Sequence, residues 1–245
     1  NMPILESRFQ INALVQQGFA QVANNAAAKK DAVLVGHSMG GVIARLMVSN
    51  ADISQDAFKL VQNTRIEQFK DKPLFQARLQ MQPIPNFSRA IFLATPHRGT
   101  EYANRWHTKL ARKIIRVPGA FLGAFADTLQ GEIGLKEFVK ELGHDLIQNG
   151  PSDLSENSKF NVLTKNIQPY TGFKFHSIIG NTVDTTEPQL MSDGIVSYES
   201  AYLQGAVSSK VIKGGHSIQE TPEAVLELRR ILRLHLSDLG LYDPE

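Results

Sequence analysis

The 245-residue chain contains no cysteine. Disulfides, zinc–thiolate sites, iron–sulfur clusters and cysteine nucleophiles are therefore excluded, and either redox environment suits it. No window approaches the roughly 18 consecutive apolar residues of a membrane span. Charge of one sign is scarce: 26 Lys and Arg face 24 Asp and Glu, a net +2. That balance weighs against a dedicated nucleic-acid binder. Internal repeats and low-complexity tracts are also missing. What remains is 42% hydrophobic, 20% charged and 8% aromatic. This is the composition of a globular chain and not of a disordered, collagenous or coiled-coil one. Its length allows one large domain or two small ones, either with a sizeable core. The first residues, Asn1-Met2-Pro3-Ile4, neither form a signal peptide nor look like a natural beginning.

Apolar residues at three- and four-residue spacings predict a helix over residues 4–28. Ala32-Val33-Leu34-Val35 is a short unbroken apolar run, which predicts a strand buried on both faces. Arg89 to Ala94, Lys174 to Gly180 and Ser209 to Lys213 read as three further strands. Helical spacing resumes at Val42–Ser49 and dominates 100–148. Residues 50–87 read as polar, mostly helical or irregular, and 149–172 as a loop. Residues 222–236 close as an amphipathic helix, with Thr221 as N-cap and Pro222 in the first turn. Strands alternating with long helical stretches predict an α/β fold with a mostly parallel sheet and helices on both faces. A strand buried on both faces should not be the first of its sheet, because an open apolar edge is a liability. The expectation is that strands preceding Asn1 complete the sheet.

Gly36-His37-Ser38-Met39-Gly40 fits G-x-S-x-G between a predicted strand and a predicted helix. A sharp strand-to-helix turn strains the serine backbone and leaves its hydroxyl standing clear. Side chains two residues before and two after are expected to collide, so that Gly36 and Gly40 must both be glycine. The helix N-terminus then offers amide N–H groups to a developing oxyanion, the Met39 N–H first. His37 is adjacent, but side chains diverge on such a turn, and a structural role is expected.

A serine nucleophile needs a base, and the base an orienting acid. Of seven histidines, His107 and His144 fall in predicted helices, His176 inside a strand and His235 late in the last helix. His216 sits on a glycine-rich loop between the last strand and the last helix, where an imidazole can swing over the sheet end. His97, in Thr-Pro-His-Arg-Gly, is its main rival. For the acid, Asp184, Glu187 and Asp193 lie in the loop after the third strand. Asp193 is favoured, because Gly194 lets the backbone turn; an Asx-turn in a solvated loop is the plain alternative.

These blocks resemble a known group. VGHSMGGVIARL, the strand plus TPHRG at 89–99, SDGIVSYESA at 192–201 and GGHSIQETP at 214–222 are similar to serine esterases and lipases of the α/β-hydrolase superfamily. The nearest likeness is to bacterial relatives of the GPI inositol-deacylase-like lipases. The resemblance implies an α/β-hydrolase fold with Ser38 as nucleophile, Asp193 as acid and His216 as base. It also implies ester hydrolysis through an acyl-enzyme, without cofactor. A His-Gly loop that would supply the second oxyanion donor has no match, so that donor is expected upstream of Asn1. Some lipases of the superfamily bind calcium through an aspartate two residues after the catalytic histidine. Ile218 stands there, and no such metal site is expected.

The expected organisation is a single domain over 1–245, with 100–170 as a lid-like helical insertion. Residues 97–117 carry six basic residues against Glu101 alone, a local +5. Trp106, Leu110, Ile114 and Val117 fall at near-helical spacing beside them. The plain reading is a surface helix packed on the core. A peripheral membrane contact through 103–117 is the alternative. The expected partner is a small-molecule or lipid ester, with no nucleic acid. Acyl transfer by the same triad, or a non-catalytic binding protein of this fold, are the rival functions. The resemblance tilts localisation toward an exported bacterial protein.

Overall fold

A computed structural model of the chain describes residues 2–61, 71, 73–101 and 150–242. The expected lid helices, the basic segment 103–117, and His107 and His144 lie outside the described residues.

The elements are α1 (Ile4–Gln21), α2 (Ala27–Lys30), β1 (Ala32–His37), α3 (Met39–Met47), β2 (Ala51–Asp52), α4 (Ser54–Val61), α5 (Pro73–Leu79), β3 (Gln80–Met81) and β4 (Phe87–Leu93). After the insertion come α6 (Gly150–Asp153), α7 (Lys159–Thr164), β5 (Lys174–Asn181), α8 (Tyr198–Ala201), β6 (Ser208–Lys213) and α9 (Pro222–Asp238). The four predicted strands form one sheet in the order β1-β4-β5-β6, and every pair is parallel. β2 and β3 make a separate two-residue antiparallel ribbon within the stretch read as helical or irregular.

The unbroken apolar run of β4 is explained by its place inside the sheet. Ala90 and Phe92 face one core, with Val42, Leu46 and Met47 of α3 and Ile4 and Leu5 of α1. Ile91 and Leu93 face the other, with Ile178, Ile212 and Ala224 and Ile231 of α9. Alternation sends neighbouring side chains to opposite faces. Each buried Phe, Leu or Ile contributes about 1.5–3 kcal/mol. Helices thus cover both faces. α9 starts as predicted: the Thr221 hydroxyl accepts from the Ala224 N–H, with Pro222 in the first turn.

Three expectations need correction. β1 is not buried on both faces. It pairs only with β4, it is the margin of the described sheet, and Val35 is 49% exposed. The helix predicted over 4–28 stops at Gln21 and resumes briefly as α2. Its buried side also carries Glu6, Arg8 and Gln10, because Glu6 is paired with Arg78 of α5 at 2.5 Å and Arg8 donates to the Ala77 and Arg78 carbonyls. Residues 149–172 are not simply a loop; they hold α6 and α7, the latter capped by Ser158, whose hydroxyl accepts from the Asn161 N–H.

At the far end of the sheet, buried Arg89 ties α9 down. It donates to His176 Nε2 at 2.5 Å and His235 Nδ1 at 3.3 Å, and pairs with Asp238 at 2.6 Å. A guanidinium only donates, so the ring nitrogens facing it are bare and both histidines are neutral. Their other nitrogens donate to Ser208 Oγ and the Asp31 carbonyl. Burial and Arg89 push the His176 pKa down to about 4.

Candidate active site

β1 runs into α3 with a single residue, Ser38, between them. Its φ of 58° and ψ of −129° are a strained conformation for a side-chain-bearing residue. Two contacts hold it. The Ser38 N–H donates to the Leu93 carbonyl at the end of β4, and the Ser38 carbonyl accepts from the Gly41 N–H, both at 2.9 Å. The close approaches at this turn differ from the expected ones. A Cβ at Gly36 would lie 2.6 Å from the Gly41 Cα. At Gly40 a Cβ would meet nothing within 4 Å. The second crowded position is Gly41, where a Cβ would fall 1.9 Å from Thr95 Oγ1. The motif spacing points one residue too early because α3 begins at Met39 and turns Gly41, not Gly40, onto the end of β4.

His216 lies between β6 and α9. Its Nε2 is 2.7 Å from Ser38 Oγ, and its Nδ1 is 2.8 Å from Asp193 Oδ2. Asp193 Oδ1 accepts the Ile195 and Val196 N–H groups at 2.8 and 2.7 Å. Gly194, at φ +87°, makes that turn. Asp193 approaches β5 so closely that a Cβ on Gly180 would lie 2.8 Å from its Cβ. Ser38, Asp193 and His216 are all buried. A carboxylate only accepts, so the proton sits on Nδ1 and Nε2 is bare, facing the serine hydroxyl. An imidazole so placed can take the hydroxyl proton as the oxygen attacks.

The rival residues are placed elsewhere. Asp184 and Glu187 are exposed. His97 is buried edge-on against Phe92, its ring nitrogens have no hydrogen-bond partner among the described residues, and burial beside Arg45 and Arg98 holds its pKa well below the ordinary value. Met39 opens α3, so its N–H is among those that a helix start leaves without an intrahelical partner. Gly150 packs on the Met39 side chain, its Cβ position 3.0 Å from Sδ. Ile218, two residues after His216, is fully buried in the core. Among the described residues no group of three or more His, Cys, Asp or Glu side chains could hold a metal ion, and no helix is long and apolar enough to cross a membrane.

Two side chains at the site, and the partner of a third, escaped sequence reasoning. Thr95 packs on Gly41. Arg45, on α3, is fully buried with its Nη1 on the Ile167 carbonyl and no partner for its Nε and Nη2 among the described residues; burial and Arg98 lower its pKa to about 9. His37 Nε2 lies 2.8 Å from the His216 carbonyl. Nothing in a single sequence says which distant loop His37 meets.

Residues 5–63, which span the elbow, match the family model of the PGAP1-like alpha/beta domain. The described residues form an α/β fold, a parallel four-stranded sheet with helices on both faces. No curated protein matches the chain in sequence. Solved structures similar to this chain include a Bacillus licheniformis lipase in mature form, at 15% identity and TM-score 0.45, covering 93% of this chain and 75% of that one. A Staphylococcus hyicus lipase gives 14% identity and TM-score 0.45, covering 86% and 70%. A metagenomic carboxyl esterase gives 12% and 0.38, covering 84% of this chain and 49% of its own. These likenesses are too distant to bear on the chemistry, which rests on the site's own geometry.

Proposed function

We propose that the protein is a serine hydrolase that cleaves carboxylic esters through an acyl-enzyme. The observation that carries this reading is the continuous chain Ser38 Oγ, His216 Nε2, His216 Nδ1, Asp193 Oδ2, at 2.7 and 2.8 Å. Ser38 Oγ attacks the ester carbonyl carbon while His216 Nε2 takes its proton. Asp193 fixes the Nδ1–H tautomer and stabilises the imidazolium. The tetrahedral oxyanion receives the Met39 N–H, a donor of a kind worth about 10²–10³ in rate. His216 then returns the proton to the departing alcohol, leaving the acyl group on Ser38. Water, deprotonated by the same nitrogen, releases the acid.

The second oxyanion donor we assign to a segment laid against the outer edge of β1, which has no partner among the described residues. Exposed Val35 on β1 supports further chain packing beside that edge. Contact with a lipid surface, where the substrate is a lipid, we assign to the basic segment 103–117.

The test is burst and steady-state hydrolysis of p-nitrophenyl esters of graded acyl length, with Ser38→Ala beside the parent. A burst near one equivalent in the parent and none in the variant is expected. Equal rates in both would overturn the reading. Acyl transfer is the rival that the same triad permits; added glycerol converting product acid into glyceride would establish it.

A further inference from the structure

We propose that His37 is a positioning residue that holds the base-bearing loop over the nucleophile by donating its Nε2–H to the His216 carbonyl. The inference rests on the hydrolase reading above and concerns the same site.

The loop that carries His216 is anchored after the histidine by Ile218, fully buried in the core. Gly214 and Gly215 precede the histidine and bring no side chains. Gly214 is fixed through its N–H on the Asn181 carbonyl at 2.9 Å, before the chain turns out to the imidazole. The His216 ring is held at both nitrogens, but its own main chain needs a separate hold. His37 supplies one at 2.8 Å, across 179 residues of sequence. The contact starts from the residue immediately before the nucleophile. Ser38 and His216 are thus joined twice, once through the reacting atoms and once through the backbone on either side of them. A shift of the loop that lengthens Ser38 Oγ to Nε2 works against the His37 bond as well.

The direction of the bond follows from chemistry. A carbonyl only accepts, so Nε2 carries the hydrogen. The two imidazoles lie with centroids 5.2 Å apart, tilted at 46°. The groups that face His37 are His216, Asp193 and Glu220; burial is the largest influence and lowers its pKa. A neutral His37 keeps the donor without setting a positive charge beside the imidazolium that His216 becomes.

Geometry supplies the test. The terminal amide nitrogen of glutamine reaches the position of Nε2, whereas that of asparagine falls short at the position of Nδ1. His37→Gln should therefore keep the bond, and His37→Asn and His37→Phe should lose it. A loop displaced by about 1 Å costs on the order of 10²-fold in rate. We expect kcat, and the rate of fluorophosphonate addition to Ser38, to fall tenfold to a hundredfold in the Asn and Phe variants. KM should stay near the parent's, and Gln should recover most of the loss. Thermal melts identify any variant that fails to fold, and imidazole ¹⁵N shifts of the parent report the tautomer without reference to activity. An Nδ1–H tautomer at His37, or Asn and Phe variants as fast as Gln, would overturn the proposal while leaving the hydrolase reading standing. A parent that does not label at Ser38 would overturn both.

Discussion

Gly41→Ala should cripple the site while Gly40→Ala leaves it intact, the reverse of what the G-x-S-x-G spacing suggests. A methyl on Gly41 would fall 1.9 Å from Thr95 Oγ1, 2.7 Å from its Cγ2 and 2.8 Å from its Cβ. Turning the threonine about χ1 moves the first two atoms and leaves the third. The start of α3 must therefore back away from the end of β4 by something on the order of 1 Å. Ser38 sits on that joint, with its N–H on the Leu93 carbonyl. Overpacking of this kind costs about 1–3 kcal/mol, and alanine returns up to about 1 kcal/mol over glycine within a helix. Stability should thus fall by about 0–3 kcal/mol, whereas a 1 Å misplacement of the nucleophile costs about 10²-fold in rate. At Gly40 nothing lies within 4 Å of the added methyl, so stability should hold or rise and the rate should change less than about threefold. Urea melts and kcat/KM on a p-nitrophenyl ester read both quantities. Thr95→Gly in the Gly41→Ala background should recover part of the rate. A Gly40→Ala variant as damaged as Gly41→Ala would refute the reasoning.

Asp193→Asn should lower kcat about 10⁴-fold with little change in KM, because an amide whose oxygen keeps the Ile195 and Val196 N–H groups offers N–H to His216 Nδ1 and forces the hydrogen onto Nε2. A loss under tenfold would count against Asp193 as the acid. His176, at about 4 in the fold against 6.5 ordinarily, is a base whose pKa folding lowers. The unfolded chain therefore takes up a proton in this window that the fold refuses, so stability is full above about pH 6.5 and falls as pH drops toward 4. Melting temperatures across that range should fall less in His176→Gln, and parallel curves would remove His176 from the account. Arg45→Met should cost less than about 1 kcal/mol or stabilise the protein, since it removes a buried guanidinium with two nitrogens that have no partner among the described residues. A loss above about 3 kcal/mol in urea unfolding would show that the buried charge is compensated.

What the sequence discloses and what it hides differ for physical reasons. β4 is legible as an unbroken apolar run from Ala90 on because both of its faces are covered. β1 carries the same signature yet leaves Val35 half exposed, since composition reports the environment a strand is suited to and not the one it has. Ser38 and His216 can be read because each closely follows a strand end, where a side chain can reach the end of a parallel sheet, and Asp193 because Gly194 beside it frees the backbone to turn. The partners that secure them cannot be read. Thr95 against Gly41, Glu6 with Arg78 and His37 with the His216 carbonyl join segments far apart in the chain, and no local spacing encodes them. The short helices α6 and α7 hide for another reason: Ser, Asn and Gly serve as well in caps as in loops, and the Ser158 cap of α7 is of this kind.

The measurement that bears most directly on the central claim is fluorophosphonate labelling of the parent and of Ser38→Ala, read by intact mass and peptide mapping. An activated serine, with its proton taken by His216, should give one adduct on the parent, mapped to Ser38, and none on the variant. An adduct on another residue, or none on a folded parent, would contradict the account.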